Sequence, residues 1–155
     1  MISARVGSAI AAEIANMRVN EQIDAMRVMS VSPYSYLVAP RILASMIMMP
    51  LLCIFFIVFG MLSCYLIGVV LFQIDEGFFL AKIQWITKPR HVMQGLEKAV
   101  IFGFIFSTIS CHQGFYAKGG AAGVGKATTR AVVSSLVTIL VVDFFISYFQ
   151  MEKIF

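Results

Sequence analysis

Charged side chains are scarce in this 155-residue sequence, in which Asp, Glu, Lys and Arg together make up 13%. Soluble domains average about 25% charged residues. By contrast, 60% of this chain is hydrophobic and its mean hydropathy is +0.89. This composition excludes a soluble monomer. It also excludes a disordered chain, because 14 Phe and 5 Tyr residues among so few charges cannot stay solvated.

Cysteines and basic clusters are equally sparse. Cys53, Cys64 and Cys111 each lie in an apolar run, which indicates reduced packing residues and excludes a disulfide framework. The 12 Lys and Arg residues occur singly, although the formal net charge is +4. The sequence therefore has no basic stripe of the kind that binds nucleic acid.

Motifs for catalysis and metal binding are also missing. The sequence contains no HExxH, no nucleophile elbow and no paired carboxylates. Cys111 and His112 are adjacent, so a single helix cannot direct both side chains at one metal. We expect a chain that is not an enzyme and that holds neither a metal nor a cofactor.

Long uncharged runs predict membrane helices. Residues 42–74 contain no charged side chain, and about 20 apolar helical residues already cross a hydrocarbon core. We predict one long helix over residues 36–73, kinked near Pro50. Two further helices are predicted over residues 99–117 and 131–151. The fold class is therefore all-α: a polytopic membrane protein with about three full transmembrane helices.

Residues 1–17 predict the end of a fourth membrane helix. Ser3, Gly7, Ala11 and Ala15 recur every fourth residue, beside a second ladder formed by Ala4, Ser8 and Ala12. On a helix these residues form one broad face of small side chains, by which membrane helices pack backbone to backbone. A helix that starts inside its own packing face also leads us to expect a truncated or alternatively started protein.

A short amphipathic helix outside the bilayer is predicted between residues 18 and 33. The apolar side carries Val19, Ile23, Met26 and Met29, and Asn20 is the expected N-cap. The polar side carries Arg18, Glu21, Gln22, Asp24 and Arg27. Such a helix either anchors the chain at the membrane surface or docks a soluble partner.

The other connections are predicted to be an interfacial segment and a loop. Residues 74–98 are polar and aromatic, with Trp85 suited to the headgroup region. Six basic residues fall on the side of Arg18 and Lys126, against five on the other side, which include Lys88 and Lys153. The side with six is predicted to be cytoplasmic.

A glycine-rich loop is predicted over residues 118–130. GAAGVGK at 120–126 fits the first seven positions of a P-loop, but Ala127 stands where a hydroxyl must bind magnesium. We expect no nucleotide binding there. Thr128 and Thr129 are expected in the first turn of the last helix, with Lys126 and Arg130 as cytoplasmic anchors or phosphate contacts.

Two acidic residues fall within apolar helices. Asp143 interrupts the last run, and such a group is costly in lipid unless it is paired, hydrated or neutralised. We therefore expect Asp143 to face protein or a cavity, either in a proton or ion relay or in a buried contact between helices. Ile139 and Ser147 share its helical stripe. Glu13 is a second candidate for the helix interior.

Four segments resemble the MlaE/YrbE permease family, the membrane subunits of MCE-associated ABC transporters. They are RVGSAIAAEI at 5–14, MRVNEQIDAM at 17–26, VAPRILA at 38–44 and GVGKATTRAVV at 123–133. The resemblance implies a homodimeric, multi-pass inner-membrane permease that moves phospholipid between membranes and maintains outer-membrane lipid asymmetry. It also implies an ABC ATPase partner, which would hold ATP and magnesium, and a periplasmic MCE-domain partner.

The resemblance also assigns roles to individual residues. The family's coupling helix, which sits against the ATPase, falls on residues 18–29, and Asp143 matches an acidic position in the last helix. Asn16 and Ser30 depart from the pattern, because the family usually has Gly or another small residue there. The resemblance covers roughly the C-terminal three-fifths of the family's length, starting within its second membrane helix. This leaves a second possibility open, namely a non-transporting adaptor or an inactive remnant of such a permease.

Overall fold

The computed structural model describes residues 1–86 and 89–152, and six α-helices account for most of them. In chain order these are α1 (Ile2–Val19), α2 (Gln22–Val28), α3 (Ala39–Tyr65), α4 (Glu76–Ile86), α5 (Pro89–Phe115) and α6 (Gly120–Glu152). No strand occurs in these two ranges. The predicted all-α fold is confirmed.

Three helices are long and apolar enough to cross a membrane, as predicted. The first consists of α3 and the π-helical turns at both of its ends, which together make a continuous segment of 38 residues, Tyr34–Leu71. Pro50 lies inside α3, which continues on both sides of it. The other two are α5 and α6. The chain is a multi-pass membrane protein.

The start of α5 differs from the prediction. α5 begins at Pro89, a favourable first residue for a helix, whereas the membrane helix was expected from residue 99. The interfacial segment 74–98 therefore contains α4 and the first turns of α5. Glu97 and Lys98 directly precede the uncharged run, so the helix was predicted to begin after them and its first turns were not predicted. Lys88 and Lys153, which entered the charge count, lie outside the described residues.

The predicted glycine-rich loop also differs, because most of it is helical. α6 begins at Gly120, so the connection from α5 is only four residues long. Gly119 and Gly120 make this turn with φ values of 95° and 63°. Gly123 lies inside the helix, where the Lys118 carbonyl oxygen occupies the place of a Cβ atom. The glycines therefore permit a tight entry into the helix.

Small residues let α1 pack closely against α5. Gly7, Ala11 and Ala15 are buried, as the four-residue spacing predicts. A Cβ atom placed on Gly114 of α5 would lie 2.8 Å from the Ala11 carbonyl oxygen, and one placed on Gly7 would lie 2.8 Å from Ser110 Oγ. No larger side chains fit at these two glycines without repacking.

α5 is the central helix of the bundle. It packs against α1, α3 and α6, and α1 also packs against α6. Its contact with α3 is close at Gly103, where a Cβ atom would lie 2.8 Å from the Ser45 carbonyl oxygen. The outer faces of α3 and α6 carry exposed aromatic side chains such as Phe56 and Phe144. These faces suit lipid contact.

Candidate functional site

The short helix α2 lies between two residues with left-handed backbone conformation. Glu21, immediately before it, has a φ of 58°, and Ser30, just after it, has a φ of 60°. The amides of Ser30 and Val31 donate to the carbonyls of Arg27 and Met26, each at 3.0 Å. This Schellman motif ends the helix. The two left-handed residues thus make α2 a separate element between α1 and α3.

Two details of the predicted coupling helix differ in the structure. Asn20 is the C-cap of α1, not the N-cap of α2: its amide donates to the Asn16 carbonyl at 3.0 Å. Met29 was expected on the apolar side but is 66% exposed. The helix is therefore shorter than residues 18–33, because Arg18 and Val19 complete α1 and the chain turns again after Val28.

A buried apolar cluster fixes α2 to the bundle. Ile23 is fully buried and packs with Ile14 of α1, Leu37 before α3, and Cys111 and Phe115 of α5. Residues of α1, of α5 and of the segment before α3 thus meet around one side chain of α2.

The predicted docking charges form a network around Asp24. Its Oδ1 atom accepts from Arg18 Nη1 at 2.6 Å and lies 3.5 Å from Arg27 Nη1. Glu21 and Gln22 are exposed and do not belong to this network. The structure therefore places all five residues at one end of the bundle, with Arg18 and Arg27 both on Asp24, and with Glu21 and Gln22 exposed.

Aromatic residues that the sequence pattern did not indicate support this end of the bundle. Tyr34 stacks on Phe115 with ring centroids 4.8 Å apart, and the Arg27 guanidinium lies 5.6 Å from the Phe115 centroid. Tyr116 contacts both Phe115 and His112. Tyr34 begins a π-helical turn, and the α-helical periodicity of the sequence does not predict such a turn. No sequence signal therefore indicated that Tyr34 stacks on Phe115.

Asp143 forms an ion pair within the membrane region. Its Oδ1 atom accepts a hydrogen bond from Lys98 Nζ of α5 at 2.9 Å, and the same ammonium lies 2.7 Å from Ser147 Oγ. The Lys98 side chain is 22% exposed and the Asp143 side chain 47%. The carboxylate is thus compensated by a charge on the neighbouring helix.

Glu13 takes part in a second ion pair between helices. Its Oε2 atom lies 2.9 Å from Nη2 of Arg41, near the start of α3. The Arg41 side chain is 22% exposed, against 64% for Glu13. This pair joins the helices on either side of α2, whereas Lys98 and Asp143 join α5 to α6.

The residues of the glycine-rich segment lie on the first turns of α6. Ala122, Gly125, Lys126, Thr129 and Arg130 line a shallow, open depression. The hydroxyls of Thr128 and Thr129 donate to the Gly125 carbonyl at 2.7 and 3.1 Å. From Gly123 onward the backbone amides of this segment are paired within the helix, so it lacks the open loop that a P-loop uses to cradle phosphates.

No group of three His, Cys, Asp or Glu side chains suited to a metal occurs in the part of the chain that the structure describes. Cys111 belongs to the buried cluster around Ile23, and the His112 ring lies 4.8 Å from that of Tyr116. The site consists of packed helices and ion pairs.

Sequence comparison identifies the family. The model of the family described as "Permease MlaE" matches residues 1–149. This chain belongs to the MlaE permease family. The long membrane helices agree with the description of the family as a permease.

Relatives of this MlaE family member carry matching names. A probable ABC transporter permease protein of Rickettsia felis is 45% identical over 147 residues, which cover 95% of this chain and 57% of the relative. Another probable ABC transporter permease protein, from Synechocystis, is 41% identical over 152 residues, which cover 98% of this chain and 58% of the relative.

A plant protein is also similar. Protein TRIGALACTOSYLDIACYLGLYCEROL 1, chloroplastic, of Arabidopsis thaliana is 38% identical over 149 residues, covering 96% of this chain and 43% of the relative. The chain thus spans little more than half the length of the bacterial relatives just described.

Proposed function

We propose that this chain forms part of the permease subunit of an ABC transporter that moves phospholipids between the inner and outer membranes and maintains outer-membrane lipid asymmetry. The observation that carries the proposal is the position of α2. Its apolar side is fixed through Ile23 to α1, to α5 and to the segment before α3, and its charged side faces outward. Such an element can transmit a partner's movement into the bundle.

The partner proposed for α2 is an ABC ATPase subunit. In this proposal the ATPase holds ATP and magnesium, and the chain described here contributes no catalytic group. Glu21 and Gln22 meet the ATPase directly, while Asp24 holds Arg18 and Arg27 in position. Surface charges of this kind govern pairing and specificity more than they govern the fold.

Phospholipid is the proposed cargo. The name of the Arabidopsis relative contains a glycerolipid, trigalactosyldiacylglycerol. The bundle itself offers apolar grooves beside single charged groups, such as the groove lined by Met49, Phe102 and Lys98. A groove of this kind matches an acyl chain joined to a phosphate. A second copy of the chain and a periplasmic MCE-domain protein are proposed to complete the path.

Lys98 and Asp143 are proposed to stabilise one conformation of this transporter. Their ion pair holds α5 to α6, and breaking it would allow the two helices to separate or rotate. ATP binding and hydrolysis in the partner would then shift the population of the two states.

Reconstitution of the full-length gene product tests the proposal. The permease is co-expressed with its ATPase and MCE-domain subunits and placed in liposomes that contain fluorescent phospholipid. We expect ATP-dependent transfer of the phospholipid to acceptor vesicles. A complex that hydrolyses ATP but transfers no phospholipid, or a chain that recruits no ATPase, would contradict the proposal and favour a non-transporting adaptor or an inactive remnant.

A further inference from the structure

We infer that Arg41 and the groove beside it form a binding site for the phosphodiester group and one acyl chain of a membrane phospholipid. The groove lies between α1, α3 and α5, at the coupling end of the bundle. The inference rests on the proposed function only in taking phospholipid as the ligand class. It adds a specific site to that function.

The first observation is an unsatisfied guanidinium. Arg41 uses Nη2 to bind Glu13, but its Nη1 atom is buried and has no hydrogen-bond partner among the described residues. A buried charged donor without an acceptor is costly, so the structure leaves room for an anionic oxygen. The neighbouring Glu13 carboxylate pairs with Nη2 and leaves Nη1 without an acceptor.

The second observation is the shape of the adjoining cavity. A groove of about 270 Å³ begins at Arg41 and Glu13 and is otherwise lined by apolar side chains and Ser45. Its walls include Ile10, Met48 and Phe106. Methionine and aliphatic side chains adapt well to a flexible hydrocarbon chain. One charged end and one apolar body together match a lipid better than a free anion.

The third observation is the sequence position of Arg41, which implies its depth in the membrane. Arg41 is the last charged residue before the uncharged run 42–74, in the first turn of α3. An arginine at this boundary lies at the level of headgroup phosphates. Its planar guanidinium also binds a phosphate through two parallel hydrogen bonds. Chemistry, shape and depth therefore agree on a phosphodiester ligand.

Equilibrium binding to the purified chain in an uncharged, phosphate-free detergent tests this site. The probes are dihexanoylphosphatidylglycerol, dihexanoylglycerol, which lacks the phosphate, and inorganic phosphate, each measured by native mass spectrometry. We expect the phospholipid to bind best, because it alone carries both groups. Equal binding of dihexanoylglycerol, or of inorganic phosphate alone, would overturn the inference.

Two variants separate the site from general effects on folding. Arg41→Gln is expected to weaken phospholipid binding on the order of tenfold, through the loss of a charge-assisted hydrogen bond. The matched control Arg5→Gln removes an exposed arginine of α1 and is expected to leave binding unchanged. Glu13→Gln removes a competing negative charge, so it should tighten binding. If the Arg41–Glu13 ion pair had only a structural role, phospholipid binding would weaken in both Arg41→Gln and Glu13→Gln.

A groove-filling variant keeps the test decisive if Arg41→Gln does not fold. Met48→Trp fills the cavity without touching the guanidinium and is expected to abolish phospholipid binding, whereas Met93→Trp, at an exposed position of α5, is not. Unchanged binding in Met48→Trp would overturn the site. If binding is unchanged there and ATP-driven lipid transfer persists in the full complex, the proposed function stands while this site fails.

Discussion

Single residues set the boundaries of α2, and Ser30 is the clearest case. Its φ of 60° is the left-handed conformation that a Schellman motif normally gives to glycine. The family resemblance singled out Ser30 because a small residue such as Gly usually stands there. The structure supplies the reason, since a left-handed conformation is costly for residues other than glycine.

Ser30→Gly is therefore expected to stabilise the protein. Relief of the left-handed conformation should raise the free energy of unfolding by about 1 kcal/mol. Unfolding in mixed detergent micelles measures it. Ser32→Gly is the matched control, because Ser32 does not have a positive φ. A stability gain of equal size in both variants would contradict the explanation.

Asp143→Leu should destabilise the contact between α5 and α6. It leaves the Lys98 ammonium without its carboxylate partner, at an expected cost of about 1–2 kcal/mol for a pair whose side chains are 22% and 47% exposed. Asp143→Asn retains a hydrogen-bond acceptor and should keep the fold while reducing transport. The double variant Lys98→Met, Asp143→Leu should recover part of the loss. Normal stability and normal transport in Asp143→Leu would refute this role.

Gly103→Ala tests the close approach of α3 and α5. The new Cβ atom would meet Ser45 O at 2.8 Å and Met46 Cα at 3.3 Å, and both belong to the backbone. We expect a loss of about 1–3 kcal/mol in the free energy of unfolding. Gly95→Ala on the same helix has nothing within 4 Å and should be neutral or stabilising. Equal changes in the free energy of unfolding for the two variants would show that helix propensity, and not packing against α3, determines the effect of Gly103→Ala.

At the scale of elements, local periodicity in the sequence predicted the helices and their packing faces. It did not predict which residues far apart in the sequence form pairs. The spacing of Gly7, Ala11 and Ala15 predicted the packing face of α1, because that pattern repeats with the helix itself. The start of α5 was not predictable, since Lys98 marks a membrane boundary unless its partner Asp143, 45 residues away, is known. The Arg41–Glu13 pair was missed for the same reason.

Charge reversal at Glu21 should release the ATPase from α2. Glu21→Lys changes an exposed residue outside the Asp24 network, so membrane insertion should be unaffected while co-purification of the ATPase falls. Combining it with Asp24→Lys should complete the release, although this second change also frees Arg18 and Arg27. Asp24→Asn is the control, because it weakens the contacts of Asp24 with Arg18 and Arg27 without reversing the charge. Full ATPase recovery with the double reversal would exclude α2 as the docking surface.

At the scale of the whole molecule, the glycine-rich segment is expected to bind no nucleotide. It is the opening of α6, and Ala127 offers no hydroxyl for magnesium. An ATP photoaffinity analogue should therefore not label the purified chain, while it labels the ATPase of the assembled complex. Specific labelling at Lys126 that excess ATP prevents would overturn this expectation.

The length of α6 has a mechanical consequence. Its first eleven residues precede the apolar run and lengthen the helix by roughly 16 Å, at 1.5 Å per residue, and Val124 and Ala127 among them pack against Ala15 of α1. No proline or glycine follows Gly125 in this helix, so it is a stiff rod. Lys126 and Asp143 lie roughly 25 Å apart along that rod. A tilt of about 10° would displace one end by roughly 4 Å relative to the other. A tilt of the first turns of α6, which pack against α1, would thus also shift Asp143 relative to Lys98.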